Sequence, residues 1–276
     1  MNKIIYAFVF LISFNINSQN FQGQAYYKTQ TAMDFGSWGD RMTSEQKKMM
    51  KERMKPFLEP VFILTFDKTK SIYQEEERLD APGGSSSGWG KMMASSGGPV
   101  YKNIILKKAL QSTEFMGKKF LISYDQEKLK WVMQKEQKMI GNYLCFKATA
   151  QIEKPKTITS VWSKAEKEND SLNSTVKDKE NIEYSTVTAW YTPQIPVSHG
   201  PAQYGGLPGL ILELSTETTV MLCTKVVMNP DKKIQISEPT KGEFVTRSEF
   251  DNIVEVKVKE MREMWRGGRS KSIRKN

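Results

Sequence analysis

The sequence predicts a mostly β fold with a minority of helix (α+β), built on one curved antiparallel sheet. Three observations predict it. Apolar residues alternate at period two in several runs, with Leu210, Leu212 and Leu214 the cleanest. Those runs are short and joined at hairpin spacing, which favours antiparallel neighbours. Only two stretches carry helical spacing behind a capping box, and each gathers its apolar residues on one side.

Along the chain, residues 1–18 read as an export signal. Lys3 precedes the apolar run 4–14, and Ser18 offers a small residue for cleavage before Gln19. No later run approaches about 20 apolar residues, so no transmembrane segment is expected after it. The chain is therefore expected to be exported, periplasmic or extracellular. Residues 19–265 are expected to form a single β-rich domain. Within it, residues 80–99 are Gly, Ser and Pro with little to bury and read as a flexible loop. Residues 266–276 form a basic tail carrying Arg266, Arg269, Lys271, Arg274 and Lys275. In a chain of net charge +10, such a tail reads first as solvated and disordered, and otherwise as a contact for anionic lipid headgroups, lipopolysaccharide or nucleic acid. No nucleic-acid motif accompanies it, and no nucleic-acid partner is expected.

A first strand is predicted over 24–33, then a helix from the Thr43/Gln46 capping box to about residue 55. Met42, Met49, Met50, Met54 and Phe57 share one side of that helix, and Pro56 and Pro60 are expected to stop it. Strands follow over 61–67, 71–77, 100–106, 110–115, 119–124 and 129–137. A longer strand is predicted over 138–152, with Ile140, Leu144, Phe146, Ala148 and Ile152 on its buried face. Residues 158–162 read as a strand, 163–180 as a surface excursion and 183–191 as another strand. Strands 209–215 and 220–228 come next, the latter with Val220, Leu222, Val226 and Met228 inward. A final helix opens at the Thr246/Glu249 capping box. Phe250, Ile253, Val254, Val258, Met261, Met264 and Trp265 make its apolar stripe, and Gly267 and Gly268 are expected to end it.

The stretch 190–214, WYTPQIPVSHGPAQYGGLPGLILEL, concentrates four prolines, four glycines and the chain's one histidine, His199. Proline fixes φ and glycine admits geometries that other residues avoid, so this is a shaped loop. Its Gly206–Ile211 hexapeptide, GLPGLI, resembles the signature of the GLPGLI family of exported bacterial proteins. The phrase AWYTPQIPVSHGPAQYGGLPGLILEL, WVMQKEQKMIGNYLCFKATA (131–150), the apolar N-terminus and the Met-rich helix resemble the same family. That family is uncharacterised, so the resemblance implies export and fold but little activity. At the level of fold the pattern is also similar to periplasmic lipoprotein-carrier half-barrels, a curved sheet with helices on its concave side.

Trp190, Tyr191, Pro196, His199, Pro201, Tyr204, Leu207 and Pro208 are the candidate ligand or partner residues of this loop. As structure they make a rigid corner, and as function a lip over the sheet. Cys145 and Cys223 are a possible disulfide in an oxidising compartment, or two buried thiols. One histidine and two separated cysteines fit no ordinary zinc site. Met42, Met49, Met50 and Met54 with Met92 and Met93 could gather thioethers for Cu(I). Methionine serves more often as an adaptable apolar lining, so no metal or other cofactor is expected. The Gly84–Gly88 segment matches Gly-x-Ser-x-Gly around Ser86, but in low-complexity loop rather than between strand and helix. Glu75, Glu76 and Glu77 alternate faces and read as a solvated strand end. With no catalytic set found, the expected function is a non-catalytic binding or carrier protein of the bacterial envelope. Its ligand would be an apolar small molecule. The alternatives are an accessory protein docking on an outer-membrane transporter, and a hydrolase using Ser86 or His199.

Overall fold

The structure, a computed structural model, describes residues 21–32, 42–76, 98–125, 129–154, 183–232 and 234–273. The export segment, most of 80–99, the strand expected at 158–162 and the excursion 163–180 lie outside the described residues. Twelve described strands form one open, curved sheet. They are β1 (Gln22–Thr31), β2 (Val61–Asp67), β3 (Lys70–Glu75), β4 (Val100–Asn103), β5 (Lys108–Phe115), β6 (Lys118–Asp125), β7 (Val132–Ile140), β8 (Tyr143–Glu153), β9 (Tyr184–Thr192), β10 (Leu210–Ser215), β11 (Thr219–Met228) and β12 (Glu243–Thr246). Their order is β12-β6-β5-β4-β3-β2-β1-β11-β10-β9-β8-β7. Sequential hairpins make most neighbours antiparallel, as the short turns require. The long return from β11 brings β12 in parallel to β6, so the sheet is mixed.

The strand expected over 138–152 is two strands. Gly141, at φ +57, turns the chain between β7 and β8, and Gly141-Asn142 is a two-residue hairpin signal. The inward face of β11 also differs from the expectation. Val220 and Leu222 are exposed, while Met221 and Cys223 pack inward. A bulge opposite Tyr26/Tyr27 inserts Thr224, so Val226 and Met228 return to the inner face beyond it.

Two helices complete the described fold. In α1 (Ser44–Leu58) Thr43 and Gln46 form the expected capping box, but the helix runs through Pro56 to Leu58. Its methionine side is not driven into a core: no residue of α1 is buried, and Met50, Met54 and Phe57 are half-buried. In α2 (Arg247–Ile273) Thr246 and Glu249 exchange the reciprocal cap bonds, the Thr246 N–H donating to Glu249 at 2.7 Å and the Glu249 N–H to Thr246 Oγ1 at 3.2 Å. Phe250, Val254 and Val258 pack against Phe115, Phe120, Ile122 and Val245. The helix passes Gly267 and Gly268 and so takes in most of the expected tail. Glycine costs a helix about 1 kcal/mol and ends it only when it turns left-handed.

The central core joins Ala25, Tyr27, Phe62, Leu64, Phe66 and Tyr73 to Leu210, Leu212, Ile195 and Val197. Strand β10 pairs with β11 only along Glu213–Ser215. A bulge near Leu212 divides its leucines, sending Leu210 and Leu212 to the central core and Leu214 with Ile211 to a third cluster. All three leucines are buried, so β10 has no solvent face here.

Candidate functional site: a loop clamped into the sheet

Residues 193–209 join β9 to β10 and fold onto themselves. The Gly206 N–H donates to Ser198 O (2.9 Å), Tyr204 N–H to Pro201 O (3.0 Å), Leu210 N–H to Ile195 O (3.0 Å) and Ile211 N–H to His199 O (3.1 Å). His199 and Gly205 form a one-residue bridge across the loop. The prolines cannot donate, and these turns use the N–H groups that remain.

Four side chains tie this backbone to the rest of the molecule. Lys102 of β4 donates from Nζ to Gly200 O (2.5 Å) and Tyr204 O (2.6 Å). The Tyr27 hydroxyl of β1 donates to Ile211 O (2.5 Å), and Trp131 Nε1 donates to Gly205 O (2.8 Å). His199 Nε2 meets Asp67 O at 3.1 Å. A carbonyl only accepts, so Nε2 carries the hydrogen and Nδ1 is the bare acceptor. That Nδ1 is buried without a partner among the described residues, as is Ser71 Oγ on the strand paired with β4; Ser71 is the register partner of Lys102.

Lys102 is 2% exposed, and no carboxylate pairs with it among the described residues. Burial pushes its ammonium down to about 7. Burial, reinforced by the nearby Lys102 charge, pushes His199 down to about 3, so the imidazole is neutral. Burial pushes the Tyr204 phenol up to about 12. A lysine with a depressed folded pKa binds fewer protons in the fold than in the unfolded chain. Stability therefore rises with pH from about 7 toward the ordinary lysine value. The thiols of Cys145 and Cys223, raised by burial to about 11 and about 12, oppose that rise above their ordinary value near 9. Urea midpoints should accordingly climb between about pH 7 and about pH 8.5, and Lys102→Met should flatten that climb. Equal slopes in both proteins would contradict the assignment.

The loop residues expected to meet a ligand divide sharply. Tyr191, His199, Pro201, Tyr204 and Leu207 are buried, whereas Pro196 and Pro208 are exposed. Trp190 is half-buried beneath Lys138, whose Nζ lies 4.4 Å from the ring centroid and 2.7 Å from Glu213. His199 is thus enclosed by the loop it belongs to, with Phe66 as its aromatic neighbour. Ser86 and Glu77 lie outside the described residues. Cys145 and Cys223 are free and buried; β9 and β10 separate their strands in the sheet. Among the described residues no group of three or more His, Cys, Asp or Glu is placed to hold a metal ion. Within the same residues no helix is long and apolar enough to cross a membrane. Lys102 was not singled out from the sequence. Its one signal is the shared face with Val100, two residues earlier on a short strand.

A family model described as a protein of unknown function (Porph_ging) matches residues 131–213. The match begins at Trp131, which bonds the loop, and ends at Glu213, which holds Lys138. It therefore covers β7, β8, β9, the loop and the start of β10. No curated protein matches the chain. Two solved structures of PNGF-II, in space groups C2 and P21, are similar at 13% identity with TM-scores of 0.47 and 0.46. They cover 85% and 84% of this chain but only 32% and 33% of their own, so the chain spans about a third of their length.

Proposed function

We propose that the chain is an exported, non-catalytic binding or carrier protein of the bacterial envelope; its likeness to the GLPGLI family supports the export. Its binding surface is a groove of about 390 Å³ between α2 and the β5–β6 turn, lined by Met116, Met261 and Met264. That groove is the observation that carries the reading. The space a carrier would keep for cargo between sheet and loop is filled here by Tyr27, Leu64, Leu207 and Leu210, all at most 1% exposed. Ligand contact then falls to the outside of the sheet. There, α2 outruns the apolar core that seats its first turns. The groove's two charges, Lys257 and Glu260, neutralise one another at 2.8 Å, leaving the soft methionine side chains to do the binding.

Native mass spectrometry of gently purified protein tests this. A co-purifying ligand that Met261→Lys releases supports the reading. A chain whose mass carries nothing, and whose groove methyl groups respond to no ligand added, overturns it.

A further inference from the structure

We propose that Met116, Met261 and Met264 form a binding site for a soft monovalent cation, Cu(I), for which Ag(I) is a redox-stable stand-in. The proposal rests on the groove being the binding surface and names its ligand class. The fold brings a turn residue and two helix residues, distant in sequence, to line one groove. Met261 and Met264 stand one turn apart on α2 and so share a side of it. Methionine is among the residue types most often buried, yet Met116 is 45% and Met264 68% exposed. Packing does not account for them, because the hairpin seats itself through Phe115 and Phe120.

Met116 also occupies a position that methionine does not favour. It has φ 51 and precedes Gly117 at φ 76, the two left-handed corners of a tight hairpin turn. Asn, Asp and Gly are favoured at the first corner. A methionine held there, half in solvent, is retained at a conformational cost that its side chain does not recover by burial.

The donor set decides the occupant. Thioethers are neutral, polarisable and soft, and soft sulfur ligands select Cu(I) over hard cations. Among the described residues the only carboxylate lining the groove, Glu260, is engaged by Lys257, so they offer no oxygen set for calcium or magnesium. Cys145 and Cys223 do not compete as thiolates, being buried with raised pKa. The Met-rich helix α1 presents no comparable site among the described residues. The groove beside it is lined by Glu52, Lys55, Pro56 and Glu59 and by no methionine, and Met92 and Met93 lie outside the described residues.

The experiment is a titration of the full chain, labelled with ¹³C in its methionine methyl groups, with Ag(I). Anaerobic Cu(I) competition against a chromophoric chelator runs beside it. The Met116, Met261 and Met264 methyl signals should move together and saturate at one equivalent. Thioethers lose no proton on binding, so affinity should hold from about pH 7 to about pH 5, unlike that of a thiol or imidazole site. Met261→Leu and Met116→Asn should each weaken binding at least about tenfold, while Met49→Leu leaves it unchanged. Met116→Asn should at the same time raise Tm, because asparagine suits the left-handed corner. Unmoved groove signals, full affinity in Met116→Asn, or a steep loss of affinity toward acid would overturn the proposal. If the three methyl groups respond to anilinonaphthalene sulfonate but not to Ag(I), the groove remains a binding surface and the cation assignment falls. If neither probe moves them, both fall.

Discussion

Lys102→Ala should cost the fold about 3–5 kcal/mol, read as a lower urea midpoint at unchanged slope. Two losses add. The Gly200 and Tyr204 carbonyls, buried with the loop, lose the donor that reaches them at 2.5 and 2.6 Å. The lysine stem, 2% exposed, also leaves a void between β4 and the loop. Lys102→Met separates these effects, because it refills the volume and restores no donor. It should still cost about 2–3 kcal/mol. The ammonium charge itself adds little, since the desolvation that pushes it down to about 7 offsets what the charge adds to these bonds. A Lys102→Met protein as stable as the parent would show that the loop does not depend on the clamp.

This clamp also marks where sequence reasoning reached and where it stopped. The mostly β sheet with two capped helices was legible because period-two alternation and the Thr43/Gln46 and Thr246/Glu249 boxes are local signals. The shaped loop was legible for the same reason: proline and glycine act on their own backbone. Thr224 was not legible, since a bulge leaves no mark until two strands pair, and it reversed the inward face of the first half of β11. Strand β7 was overrun for a different reason. Its Gly-Asn turn was visible at residues 141–142, but apolar residues continue in phase on either side. Lys102 was least legible. It is one of 41 Lys and Arg residues, and only the approach of a loop about a hundred positions later buries it. The methionine groove has the same origin, since Met116 gains meaning only once α2 crosses the β5–β6 turn.

The loop's own residues explain why so much of the expected ligand lip is buried. Tyr204 and Leu207 pack with Ile211 and Leu214 in the third cluster, and His199 is buried beside Phe66 of the central core. A segment that closes a core cannot also offer those side chains to a partner. Of the residues expected to meet a ligand, only Pro196 and Pro208 stay exposed, and they present shape with no donor. The loop is thus better placed to hold β9 and β10 in position than to recognise a ligand, which is why the proposed binding surface is the groove at Met116, Met261 and Met264.

Gly209→Ala should cost about 3–5 kcal/mol, while Gly206→Ala should cost only about 1 kcal/mol, although both belong to the same hexapeptide. Their φ angles alone would suggest the reverse order. Gly206 is left-handed at φ +86, yet a Cβ there meets nothing within 4 Å, so alanine brings torsional strain and no clash. A Cβ at Gly209 would lie 2.3 Å from Thr192 O, 2.5 Å from Thr192 C and 2.8 Å from Pro193 N. Those atoms are backbone, and Pro193 restricts how they can yield. Relief must come from moving Gly209 away from the end of β9. That motion would break the 3.0 Å bond from Leu210 N–H to Ile195 O and draw Leu210 and Leu212 out of the central core. Gly200 should fall between the two at about 1–3 kcal/mol, since its Cβ meets Ile211 Cδ1 at 2.6 Å, which a rotamer change can move, and Ile211 Cβ at 3.0 Å, which needs only a small shift. Urea midpoints of the three alanine variants should rank Gly209 most costly, then Gly200, then Gly206. A Gly206→Ala variant less stable than Gly209→Ala would show that backbone torsion, and not the close seating of the loop on β9, sets the shape of this corner.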